Sequence, residues 1–321
     1  MRYPTALSTP DASFTAPAER PGVIVAETTE GYQFVTQPDH AALAGQFADA
    51  WGSASVDRPD TFDSLVLAAY AHDTGWRTYD RRPHLDDGDP VDFREMPADI
   101  WVDLYDEGID AVAEMDAYAG LLVSMHGSGL RNRRYGLSPE WPETPAEYRA
   151  FVDREECRQR RLLGDLLDGS QAAAGDGTAG RAAGEGRDSL ASEADRDLVR
   201  SLHGGEGVPD GYDGRLWADY RRLQAWDALS LSFCLTDDPP GYGDIGAVPT
   251  GGPRDETTLS VTRVESGEFT VEPYPFAESP LVVTVPVRTV TEWSGGESAL
   301  ARAYYGPGRE TRQFELRPPD R

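Results

Sequence analysis

The chain has 321 residues, with 30 basic and 56 acidic side chains and a formal net charge of −26, and every basic residue is an arginine. At 39% hydrophobic and 10% aromatic it has the material for a buried core, which excludes disorder along its whole length. Diffuse acidity without a clustered basic footprint excludes a nucleic-acid binder, which must displace counterions from phosphates. It matches the solvation strategy of a salt-adapted, halophilic cytoplasm, where carboxylates stay hydrated and their repulsion is screened.

No stretch approaches the roughly 18 consecutive apolar residues that cross a bilayer. The N-terminus also lacks the basic start and apolar centre of a secretion signal, so a cytoplasmic protein without a membrane partner is expected. Cys157 and Cys234 are too few for a disulfide framework and show no metal-ligand spacing.

In chain order, residues 1–20 read as a flexible arm, rich in Pro, Ala, Ser and Thr. Val23 to Ala26 and Tyr32 to Val35 read as two short strands around a turn. Asp39 is placed to cap a helix with His40, Leu43, Ala44, Phe47 and Trp51 on one face. Asp60 or Thr61 opens a second helix, with Leu65, Ala68, Ala69 and His72 on its face and Gly75 at its end. A third helix is predicted from about Asp99 to Met115, and a fourth from Asp116 to His126.

The capping box Thr144-Pro145-Ala146-Glu147 opens a further helix, through Leu166. Gly, Ala, Ser and Asp then dominate residues 169–192, predicted to be a disordered insertion. A last long helix, from about Asp213 to Leu235, carries Asp227 within an apolar face. Beyond it the period changes to 2 around residues 259–262, 269–271 and 281–285, predicting strands that pair with the N-terminal ones against the helices.

His40, His72, Asp73 and Asp227 thus face inward from three separate helices, with His126 as a fifth candidate. A divalent-metal site in a helical protein is built this way, each helix offering one or two side chains to a common point. Arg131, Arg133 and Arg134 follow His126 and could hold a phosphate or carboxylate of a substrate by forked hydrogen bonds. Trp76 and Asp80 follow His72-Asp73, the first placed as a pocket wall and the second as a general base.

The order histidine, histidine-aspartate, aspartate on helices resembles the HD-domain superfamily of metal-dependent phosphohydrolases. More closely, Thr36-Gln37-Pro38-Asp39-His40-Ala41, His72-Asp73-Thr74-Gly75-Trp76, residues 120–127 and Pro273-Tyr274-Pro275-Phe276 resemble a family known only as a domain of unknown function. The superfamily resemblance implies a mainly α fold, an HD-like helical bundle with a small β element formed by the N-terminal hairpin and the C-terminal strands. Its helical domain is expected over residues 21–240, with a β-rich segment at 241–321 packed on it. It further implies that His40, His72, Asp73 and Asp227 ligate one divalent cation, manganese, magnesium, iron, nickel or cobalt, with His126 assisting. The expected function is hydrolysis of a phosphomonoester or a nucleotide-like small molecule. An iron-dependent oxygenase on the same ligands, and a helical protein that binds metal or ligand without turnover, are the alternatives.

Overall fold

The computed structural model describes residues 23–135, 143–168, 190–252 and 254–320, so the expected arm at 1–20 and nearly all of the expected insertion at 169–192 lie outside the described residues. The elements are β1 Ile24–Thr28, β2 Gly31–Val35, α1 Gln37–Asp49, α2 Phe62–Ala71, the short strands β3 Leu85–Asp86 and β4 Asp89–Pro90, α3 Ala98–Met115 and α4 Ala117–Gly129. They continue with α5 Arg149–Leu167, α6 Glu193–Gly204, α7 Leu216–Cys234, β5 Asp244–Pro249, β6 Glu256–Glu265, β7 Glu268–Glu272, β8 Leu281–Val290, α8 Glu297–Tyr305 and β9 Glu310–Arg317.

Seven strands form one curled mixed sheet in the order β1-β2-β8-β9-β7-β6-β5. Neighbours run antiparallel except β7 and β9, which are parallel. This overturns the expectation of a mainly α, HD-like bundle with a small β element. The N-terminal hairpin does join the C-terminal strands, with Tyr32 opposite Val290 and Phe34 opposite Arg288. It does so at the end of a sheet that forms a full layer against the helices. Two of the strands give weak sequence signals: β9 has Phe314 and Leu316 as its buried side chains among charged neighbours, and β5 is irregular, with Ala247 at φ 53°.

Helix starts follow from local chemistry. Thr36, rather than Asp39, caps α1: its side chain accepts from the Asp39 N–H at 3.2 Å, with Pro38 in the first turn where no partner for an N–H is needed. Asp116 caps α4 by accepting from Ala119 N–H at 2.8 Å.

The helices pack on the sheet through a continuous apolar core. Phe233 of α7 meets Phe269 of β7 and Phe314 of β9 with ring centroids 5.0 and 4.8 Å away. Gln46 of α1 pairs with the backbone of Thr284 in β8, donating to its carbonyl at 2.8 Å and accepting from its N–H at 2.9 Å. The β2 pairing covers only the far end of β8, at Arg288 to Val290, so this amide supplies the bonds that a neighbouring strand would otherwise give Thr284. Among the described residues no helix is long and apolar enough to cross a membrane.

Candidate metal centre

Four helices and one turn converge beneath the sheet. His40 lies in the second turn of α1, His72 follows the last residue of α2, His126 lies in α4, and Asp227 lies in α7. Asp73 precedes a 3₁₀ turn at Thr74–Arg77 that rests on α3. Gly75 permits that approach: a Cβ there would overlap the Leu104 carbonyl oxygen. All five side chains are buried, Asp227 being the most exposed at 6%.

Hydrogen-bond accounting fixes the ring tautomers. His72 Nδ1 lies 2.9 Å from the Ala69 carbonyl oxygen, which can only accept, so Nδ1 carries the hydrogen. The Ser230 hydroxyl donates to the Asp227 carbonyl at 2.8 Å and so accepts from His40 Nδ1–H at 2.8 Å. Each neutral imidazole therefore turns an Nε2 lone pair inward. The two Nε2 atoms are 3.3 Å apart. Asp227 Oδ1 lies 3.0 Å from that of His40 and 3.4 Å from that of His72. Asp73 Oδ2 lies 3.7 and 3.4 Å from the same two atoms. With both imidazoles neutral, these inward atoms are all acceptors, so only added protons or a cation can reconcile them.

The electrostatics follow from this crowding. Burial works against a charge on His72, but the carboxylates of Asp73 and Asp227 overcome it and lift its pKa to about 9. Burial likewise pushes the Asp227 carboxyl up, and its hydrogen bonds to His40 and His72 outweigh that, holding it well below the ordinary carboxylate range. Burial takes His126 down to about 4. Its Nε2 lies 3.9 Å from Asp227 Oδ2, and its buried Nδ1 has no hydrogen-bond partner among the described residues. Ligand atoms of His40, His72 and Asp73 lie within 4.8 Å of one another, as do those of His72, His126 and Asp227. Two imidazoles and two carboxylates, flanked by a third imidazole, suit a divalent transition cation.

Two participants carry little sequence signal. Tyr105 of α3 donates to Asp73 Oδ1 at 3.1 Å, and Ser230 orients His40. Tyr105 reads as one more apolar position on its helix face, whereas Ser230 lies one turn beyond Asp227 on α7, a spacing that could have flagged it.

The other candidates lie outside both groups of ligand atoms. Trp76 is buried, edge-on to Tyr105 at 6.2 Å, with no hydrogen-bond partner for its indole N–H among the described residues. Asp80 accepts from the Gln37 N–H at 2.5 Å at the start of α1, outside both groups of ligand atoms. The three arginines after His126 do not converge on one partner. Arg131 lies over the rings of Trp101 and Tyr148 at 4.1 and 4.5 Å, and Arg134 pairs with Glu156 and donates to the His203 carbonyl at 2.8 Å. Arg133 is exposed. Cys157 and Cys234 are free thiols.

The sequence profile of a family described as "Protein of unknown function (DUF3891)" matches residues 23–178 and 192–292. No curated protein and no solved structure matches the chain.

Proposed function

The chain belongs to the DUF3891 family of proteins of unknown function, and we propose that its buried centre of His40, His72, Asp73 and Asp227 binds a divalent cation and hydrolyses a small phosphomonoester or nucleotide-like substrate. The observation that carries the reading is the meeting of acceptor atoms, two imidazole Nε2 and two carboxylate oxygens, at 3.0 to 3.7 Å. Imidazole in the donor set favours iron, cobalt or nickel over magnesium, while the two carboxylates also admit manganese. Held by these four residues, such a cation would supply a water of lowered pKa and a Lewis acid for a phosphoryl oxygen.

The chain's own groups have separate tasks. The Ala69 carbonyl and the Ser230 hydroxyl hold the two imidazoles with Nε2 inward, and Tyr105 fixes Asp73. His126, kept neutral near pH 7 by burial, can accept a proton at Nε2 beside Asp227. A second reading, a cation-binding protein without turnover, is favoured by one observation. The ligands are almost fully enclosed, as in structural rather than catalytic sites.

Elemental analysis of protein purified at high salt, alongside an Asp73→Ala variant prepared identically, tests the proposal. Near-stoichiometric metal in the wild type and its loss in the variant is expected, followed by turnover on a phosphoester panel supplied with that metal. Absence of metal from both proteins after soaking in manganese, iron or nickel overturns the cation centre. Metal without turnover decides for the second reading.

A further inference from the structure

A separate cleft of about 260 Å³ opens where the start of α1, the 3₁₀ turns after Asp73, the end of α8 and the start of β9 come together. Arg77, Arg81, Arg288 and Arg309 line it, against two carboxylates, Asp39 and Asp80. In a chain of net charge −26, this gathers cations where the overall composition predicts the opposite.

The four guanidinium groups are not equally engaged. Arg309 pairs with Asp39. Arg288 donates to the carbonyls of Tyr304 and Pro307 at 3.1 and 3.3 Å and lies over the Tyr304 and Tyr305 rings at 4.8 and 5.2 Å, which holds it in place. Arg77 and Arg81 are exposed and, among the described residues, make no hydrogen bond, ion pair or ring contact.

Asp80 is spoken for on one side only. One oxygen accepts from Gln37 N–H, and the other is buried without a partner among the described residues. Burial also drives its carboxyl well above the usual range. The helix start adds no free donor, since Asp80 uses the Gln37 N–H, Thr36 uses those of Asp39 and His40, and Pro38 has none. The arginines therefore carry the site.

We propose that this cleft binds a phosphate-type dianion, with Arg77 and Arg81 as its principal donors and Arg288 as a fixed third. A tetrahedral dianion offers more oxygens and twice the charge to several planar forks at once, whereas a carboxylate offers two oxygens and one charge. The assignment stands on the arginines and not on the cation centre. The cleft flanks that centre all the same, because α1 carries His40 and the turn bearing Arg77 begins directly after Asp73.

Calorimetric titration with sodium phosphate, against sodium chloride at matched ionic strength, tests it on three samples: wild type, the Arg77→Ala/Arg81→Ala double variant, and wild type freed of cations with a chelator. Saturable phosphate binding is expected in wild type and in the chelated protein, weakened about tenfold or more in the double variant, with unchanged melting temperature in the absence of phosphate. Wild type that responds to phosphate no better than to chloride overturns the proposal, as does undiminished binding by the double variant. Loss of binding on chelation alone also overturns it and moves the phosphate to the cation centre.

Discussion

At the scale of single residues, Ser230 has one task visible in its bonds, to hold His40 with Nε2 inward. Ser230→Ala is expected to keep the fold and weaken cation affinity by about 10–100-fold, the usual effect of losing an outer partner of a ligand, as read by metal titration. The histidines also set a pH optimum for the cation-free protein. His72 is raised to about 9, so its contribution is complete below the ordinary histidine value and lost as pH rises through about 9. His126 is lowered to about 4, so the unfolded chain takes up its proton first and stability falls as pH drops from the ordinary value towards 4. Asp227, held low, adds to the loss in acid. Urea unfolding of chelated protein should thus be most resistant near about pH 6.5 and weaker at about 5 and 9. A flat profile would show that these groups are not buried together. His40, His72 and Asp227 were legible as candidates because polar side chains interrupt apolar helix faces at helical spacing, and Asp73 only as the carboxylate next to His72. Asp80 was legible as a conspicuous carboxylate but not as the anchor of the Gln37 N–H, a bond between residues distant in sequence.

At the scale of elements, close approach and edge satisfaction position the site. Gly75→Ala pushes the turn after Asp73 away from α3, and is expected to cost roughly 1–3 kcal/mol or more and to lower metal content together with stability. Gln46→Ala leaves the Thr284 N–H and carbonyl without their partner, which should cost about 1–3 kcal/mol in denaturant titrations without touching a ligand. The helices were largely legible, because caps such as Asp116 and the 3.6-residue period are local signals. The sheet was legible only in part. β6, β7 and β8 alternate clearly, but α8 is short and β9 is rich in polar and charged residues, and the place of β9 is set by partners far along the chain.

At the scale of the molecule, the excess of carboxylates makes compactness depend on screening. Its ion pairs include many exposed ones, such as Arg200 with Asp197, which contribute little each. The melting temperature is expected to rise by several degrees as salt shortens the Debye length from about 10 Å at 0.1 M to about 3 Å at 1 M, and differential scanning calorimetry across that range checks it. A temperature independent of salt would mean that self-repulsion is not what limits stability. One helix also ties the two halves of the protein together. On α1, His40 faces the ligand cluster while Gln46, under two turns further on, grips β8. Occupancy of the cluster by a cation would thereby brace the sheet. The Thr284 amide, whose partner is Gln46 and not a ligand candidate, should exchange its hydrogen with solvent more slowly in the metal-loaded protein than in the stripped one, so a strand without a candidate ligand would report on the centre.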